Sequence, residues 1–150
     1  MGRGKLPVLA GVAETTTKFA TRFMAASEKL GVDGFMVLPT LIYKTQPDET
    51  MRHFRTVARA TKLPIMIYNN PVDYKTEVTL DMFEEIAVCK NFQAIKESTR
   101  DVSNVTRLRN RFGDRIKILC GVDTIAMEEL CLGADGWVAG LVCAFPKETV

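Results

Sequence analysis

Lys96 stands in Phe92-Gln93-Ala94-Ile95-Lys96-Glu97-Ser98, a run that otherwise reads as a buried strand. One strand-helix unit upstream, Pro64-Ile65-Met66-Ile67-Tyr68-Asn69-Asn70-Pro71 is a second apolar run, ending in a tyrosine and polar groups. Burial disfavours the ammonium form of a lysine. A lysine amine freed of its proton attacks a carbonyl carbon and forms an imine. A tyrosine on a neighbouring strand can move the protons that such a reaction takes up and releases. On a single strand the same lysine can instead run its stem over apolar surface and put its amine in solvent. The elements that carry it decide between the two.

Those elements alternate short apolar runs with amphipathic stretches of about 10 to 16 residues, the helical period being 3.6. Val8 to Val12 predicts a strand, and Thr15 to Leu30 a helix with Phe19, Phe23, Ala26 and Leu30 on one face. Gly34 to Pro39 predicts a strand, and Asp48 to Thr61 a helix with Met51, Phe54, Val57 and Ala58 inward. Leu63 to Tyr68 reads as strand and Leu80 to Val88 as helix, with Thr79 as its N-cap. Phe92 to Lys96 is strand and Val102 to Phe112 helix. Ile116 to Cys120 is strand, Ile125 to Leu132 a short helix, and Gly136 to Ala144 the last strand, after which Pro146-Lys147-Glu148 opens a further helix. The strands are nearly all apolar instead of alternating, as in a parallel sheet buried on both faces. Two helix exits also repeat, Leu30-Gly31-Val32-Asp33-Gly34-Phe35 and Leu132-Gly133-Ala134-Asp135-Gly136-Trp137. One βα unit is therefore being reused.

Bulk properties remove several function classes. The 150 residues are 47% hydrophobic and 25% charged, an ordinary globular composition. A formal net charge of +2 is too small to argue for nucleic acid. The densest basic cluster, Arg107, Arg109, Arg111 and Arg115, reads as a solvated helix face. No apolar run approaches the roughly 20 residues of a membrane span. The basic start, Met1-Gly2-Arg3-Gly4-Lys5, leads into no signal-peptide core. Cys89, Cys120, Cys131 and Cys143 form no Cys-x-x-Cys pair, so no metal site is expected. A reducing, cytoplasmic setting fits free thiols, two of which (Cys120 and Cys143) fall in apolar strand candidates. The only histidine, His53, lies one helical turn after Glu49, and the spacing predicts a solvated pair without a catalytic role.

Six consecutive βα units fit an open doubly wound sheet or most of a (β/α)8 barrel. The open sheet predicts a glycine-rich phosphate turn after an early strand, but here the first strand leads into Ala13-Glu14-Thr15-Thr16-Thr17. Polar residues gather just past strand ends instead: Glu14, Thr40, Tyr68-Asn69, Lys96-Ser98 and Asp123. Barrel enzymes build their sites there. The expectation is an α/β fold, an incomplete (β/α)8 barrel of about six units forming a single domain over residues 1–150.

At Tyr68-Asn69-Asn70-Pro71 and Ile95-Lys96-Glu97-Ser98 the chain resembles the dihydrodipicolinate synthase / N-acetylneuraminate lyase superfamily. Pro7 to Val12, Gly31-Val32-Asp33-Gly34, Leu119-Cys120-Gly121-Val122-Asp123 and Leu132 to Gly136 match in order and spacing. The resemblance implies lysine-imine chemistry on a barrel, with neither metal nor organic cofactor. It implies that Lys96 binds the 2-oxo carbon of a small 2-oxo acid and that Tyr68 relays protons. Val138 would line the pocket and Gly121 would allow close approach of the ligand, or simply make a tight turn. Asp123 would be a polar contact, or an ordinary helix N-cap. A homo-oligomer, a tetramer by family, is implied for a full-length protein.

Three departures narrow the resemblance. The family's glycine-threonine-threonine-glycine-glutamate run after its second strand is missing, and Thr15, Thr16 and Thr17 open a helix in a different unit. The chain thus reads as a fragment lacking two βα units and the C-terminal helices. Val72-Asp73-Tyr74-Lys75 replaces the stretch where the lysine-pathway synthase carries an arginine for a second carboxylate. Leu41-Ile42 stands where the family has a tyrosine pair, and Tyr43 nearby is no obvious substitute. The nearest resemblance is to a 1-pyrroline-4-hydroxy-2-carboxylate deaminase, with 2-oxo acid aldolases and dehydratases such as 2-keto-3-deoxy-sugar acid or 4-hydroxy-2-oxoglutarate aldolase beside it. A catalytically incomplete remnant is the alternative from another class.

Overall fold

A computed structural model describes Gly4 and residues 6–40 and 43–149. Six strands form one sheet: β1 Leu9–Val12, β2 Gly34–Val37, β3 Ile65–Asn69, β4 Phe92–Glu97, β5 Lys117–Cys120 and β6 Gly136–Trp137. Between them run the helices α1 Thr17–Leu30, α2 Pro47–Ala60, α3 Pro71–Tyr74, α4 Leu80–Ala87, α5 Ser103–Phe112 and α6 Ala126–Cys131. The strands lie in sequence order, β1-β2-β3-β4-β5-β6, and each pair is parallel. A doubly wound sheet reverses its strand order at a switch point. This one never does, so it is part of a barrel wall.

Register explains why the strands are apolar on both sides. Val12, Val37, Ile67, Ile95 and Ile118 form a continuous row across five strands, each paired with the next. All five are at most 1% exposed, packed in one core with Phe83 and Ile86 of α4 and Leu108 of α5. Burying each such side chain contributes roughly 1.5–3 kcal/mol. Because side chains alternate along a strand, the adjacent row, Tyr68-Lys96-Leu119, faces the other way, to the inside of the barrel wall.

The repeated helix exit has a physical purpose in both copies. Gly31 (φ 83°) and Gly133 (φ 99°) take the left-handed conformation that turns the chain out of α1 and α6. Asp33 then clasps the start of β1: its N–H donates to the Val8 carbonyl at 2.8 Å and its carboxylate accepts from Val8 N at 2.7 Å. Asp135 does the same to Ile118, at 2.7 and 2.8 Å. The joint is a two-point clamp between one strand's entrance and its neighbour's.

Several expectations are corrected. The buried face of α1 is Ala20, Met24 and Ser27, whereas Phe19 (49%), Phe23 (37%) and Leu30 (78%) are exposed. Both stripes have helical spacing, and the smaller residues allow α1 to approach the sheet and α2 closely. His53 is not solvated. It is 3% exposed, with Nε2 3.1 Å from the Leu38 carbonyl and Nδ1 3.0 Å from Thr17 Oγ1. A carbonyl can only accept, so Nε2 carries the proton and Nδ1 accepts from the threonine. The last strand stops at Trp137, and Leu141–Cys143 is a 3-10 turn with Cys143 exposed. Asp123 takes the N–H groups of Gly140 and Leu141 that a longer strand would have offered to the sheet. Pro146 opens no helix among the described residues. The four-residue α3 was not expected. The arginine cluster is a face of ion pairs, Arg107 with Asp101, Arg109 with Asp135, and Arg111 with Asp81 and Glu84. No described helix is long and apolar enough to cross a membrane. Met1 to Arg3, Lys5, Leu41 and Ile42 lie outside the described residues.

Candidate active site

Lys96 and Tyr68 are direct register partners on β4 and β3, so the parallel pairing puts both on the inner face at one level. Lys96 Nζ sits 4.0 Å from the centroid of the Tyr68 ring, over its face. Both are half-buried in a cavity of about 370 Å³, which Ser98, Gly121, Asp123 and Val138 also line. The cavity lies past the C-terminal ends of β3 to β6, the end at which barrel enzymes hold their substrates.

Gly121 is needed for Lys96 itself. A Cβ at this position would stand 2.8 and 2.9 Å from Lys96 Cε and Cγ and 2.1 Å from Ser98 Oγ, closer than real Cβ atoms approach. Any side chain would push the lysine stem aside. Ser98 follows Lys96 by two residues and so shares its face. Its hydroxyl is buried without a hydrogen-bond partner, an acceptor and donor left for something that enters the cavity. The sequence already places it among the polar residues past the strand ends, without a role of its own.

Behind the lysine, Glu97 points to the opposite face and is fully buried. Its carboxylate accepts from Thr99 N at 2.7 Å, Asn104 Nδ2 at 2.8 Å and Asn69 Nδ2 at 3.2 Å. It ties β3, β4 and α5 together directly behind Lys96. Burial pushes its pKa up, and the three donors pull against that. Cys120, its register partner on β5, is also buried, and burial pushes its thiol up to about 12. It behaves as a small hydrophobe.

Asp123 caps no helix of its own. Its carboxylate accepts from Trp137 Nε1 at 3.1 Å and from Gly140 N and Leu141 N, both at 2.9 Å. It braces the loop after β6, which carries Val138 to the cavity wall, and the Val138 N–H itself donates to the Cys120 carbonyl at 2.8 Å. Tyr43 is 62% exposed and lines a different cavity, with His53 and Thr17. Among the described residues no three His, Cys, Asp or Glu side chains stand together as a metal site.

Residues 1–148 match the model of the dihydrodipicolinate synthetase family. The 4-hydroxy-tetrahydrodipicolinate synthase of Aquifex aeolicus is 31% identical over 146 residues, covering 97% of this chain and 50% of that protein. The structure of the same enzyme from Methylacidiphilum fumariolicum SolV superposes with a TM-score of 0.94 at 28% identity, over 99% of this chain and 50% of that one. A Ruminococcus gnavus sialic acid aldolase altered at its catalytic lysine superposes with a TM-score of 0.92 at 25% identity, over 97% and 48%. The chain thus spans about half the length of the relatives it matches. Strand order, barrel-wall geometry and family match agree, and the chain belongs to the dihydrodipicolinate synthetase family.

Proposed function

We propose that this chain carries the imine-forming centre of a lyase acting on a small 2-oxo acid or a related cyclic imine. The observation that carries this reading is the Lys96 amine held 4.0 Å over the Tyr68 ring in a cavity at the strand ends. In the proposed reaction Nζ attacks the substrate's C2; on a 2-oxo acid the carbinolamine loses water, and on a cyclic imine the protonated ring nitrogen leaves C2 as an amine, either way giving a protonated imine on Lys96. The imine nitrogen then draws in the electron pair released when a bond β to it breaks. Tyr68 carries the proton that each step gives up or takes back. The likeness to an aldolase with a catalytic lysine supports this assignment, as does the space that Gly121 leaves for the lysine stem. No metal or organic cofactor is needed, and a homo-oligomer is proposed for a full-length protein.

Within that class the deaminase-type reaction on 1-pyrroline-4-hydroxy-2-carboxylate is our narrower reading, because the Tyr-Asn-Asn-Pro-Val-Asp-Tyr-Lys and Ile-Lys-Glu-Ser-Thr-Arg-Asp runs resemble members acting on hydroxyproline-derived or sugar-derived 2-oxo acids. Side-by-side assays decide it. Ammonia release from the cyclic imine supports the deaminase, and aldehyde release from 2-keto-3-deoxy-sugar acids or 4-hydroxy-2-oxoglutarate supports an aldolase instead. Lys96→Arg keeps a positive charge but cannot form an imine, so it abolishes turnover in either case. A second reading, a chain unable to turn over substrate by itself, is favoured by one observation. The described cavity is walled by β3 to β6, their loops and α3, and remains open to solvent.

A further inference from the structure

Tyr68 is held by the residue two places after it. Asn70 is 4% exposed, and its side-chain amide makes three contacts. Nδ2 donates to Tyr68 Oη at 3.1 Å and to Asp73 Oδ2 at 2.7 Å, while Oδ1 accepts from Asp73 N at 3.2 Å. These contacts settle which way the amide faces. Turned over, its oxygen would stand against the Asp73 carboxylate and its NH2 against a backbone N–H. Both hydrogens are therefore spoken for, one by Asp73 and one by the tyrosine.

A phenol has one proton and two lone pairs to place. With one lone pair taken by Asn70, the Tyr68 proton cannot point that way without setting hydrogen against hydrogen. When the phenol gives up its proton, the same N–H becomes a hydrogen bond to a charged oxygen, about twice as strong as the neutral one. We propose that Asn70 is a positioning residue, which fixes the direction of the Tyr68 hydroxyl and supports negative charge on its oxygen during each proton transfer.

Proton bookkeeping is simple. The substrate's proton passes to or from Tyr68 Oη, and Asn70 keeps both of its hydrogens throughout. Asp73 completes the arrangement by anchoring the amide from behind, with Arg100 Nη2 3.7 Å from its other oxygen. Tyr74 packs edge-on against Tyr68, ring centroids 5.5 Å apart. Its hydroxyl is held above the usual tyrosine range by burial first, then by the neighbouring Tyr68 and Asp73. Tyr74 thus stands beside the same hydroxyl, while Asn70 Nδ2 donates to Tyr68 Oη.

This proposal rests on the imine reading, and its test separates the two. In 15N-labelled chain the Asn70 side-chain NH2 signals, assigned by their loss in Asn70→Asp, should move in Tyr68→Phe and stay in Tyr43→Phe. Deuterium uptake into the methyl group of pyruvate then reads the proton transfer. Asn70→Ala should slow it at least tenfold. Asn70→Leu, close in shape but with nothing to donate to the phenol, should slow it as much, with a melt showing the fold kept. The double variant Asn70→Ala/Tyr68→Phe should be no slower than Tyr68→Phe alone, since Asn70 acts only through the tyrosine. Asn70 signals indifferent to Tyr68→Phe, or losses that multiply in the double variant, would overturn the positioning role while leaving imine formation standing. Absence of any uptake or borohydride trapping in the unaltered chain would overturn the imine reading, and this proposal with it.

Discussion

Lys96 and Tyr68 are legible in the sequence because two strand-end residues of fitting chemistry, one βα unit apart, become neighbours where parallel strands pair in sequence order, as they do here. What surrounds them is not. That Gly121 makes room for the lysine, that Ser98 is left unpartnered, and that Asn70 reaches back to Tyr68 all depend on side-chain proximity that no periodicity reports. Gly121→Ala should therefore cut borohydride trapping on Lys96 at least tenfold and cost about 1–3 kcal/mol of stability, as overpacking does, measured by peptide mass and urea melts. His53 shows the same limit from the other side. Its spacing from Glu49 suggested solvent, but tertiary packing buries it between Thr17 and Leu38. His53→Ala should leave both partners unpaired and cost about 1–3 kcal/mol, far more than an exposed helix pair is worth. Burial lowers the His53 pKa. A buried neutral histidine stabilises above the unfolded-state pKa, so stability should fall as pH drops below the ordinary histidine range. Chemical denaturation between neutral pH and pH 5 checks this, and His53→Gln should flatten the slope.

At the scale of elements, strand and helix order was readable almost throughout, because apolar runs and 3.6-residue stripes are written in the sequence itself. Element faces were less so. α1 has two plausible apolar stripes, and only the space beside the sheet and α2 selects Ala20 and Met24 over Phe19 and Phe23. Helix α6 hides a second case. Glu129 has no exposed surface, and neither carboxyl oxygen has a hydrogen-bond partner. Burial pushes its pKa up, against the neighbouring Cys120 thiol, which pulls it down, and Glu97 adds a smaller upward push. An acid raised in the folded state contributes stability that is present at low pH and lost as pH rises above the ordinary glutamate range. Glu129→Met, close in size and without charge, should accordingly stabilise the chain at pH 8 by about 1–2 kcal/mol and by less at pH 5. A melt at both pH values decides it, and equal effects at the two would show that ionisation is not the cause.

Across the whole molecule, the sheet leaves one side of β1 and one side of β6 unpaired among the described residues. Phe19, Phe23 and Leu30 of α1, the helix that follows β1, are exposed, and so are Leu141, Val142 and Phe145 in the segment after β6. Open edges and exposed apolar side chains invite association. Sedimentation of the isolated chain should show concentration-dependent self-association, reduced by Phe19→Glu or by Phe145→Glu; a monodisperse monomer with a cooperative melt would contradict this. The barrel wall was legible from the six repeated units, whereas the exposed apolar surface required knowing which stripe of α1 turns outward. An imine on Lys96 is one covalent bond, and reduction makes it permanent enough to map. The chain is incubated with pyruvate, reduced with borohydride, digested and mapped by mass spectrometry. One reduced pyruvate should appear on the peptide containing Lys96, on no other lysine, and not at all in Lys96→Arg. An unmodified Lys96 peptide, or adducts spread over the surface lysines and unchanged in Lys96→Arg, would contradict the assignment of Lys96 as the imine-forming residue.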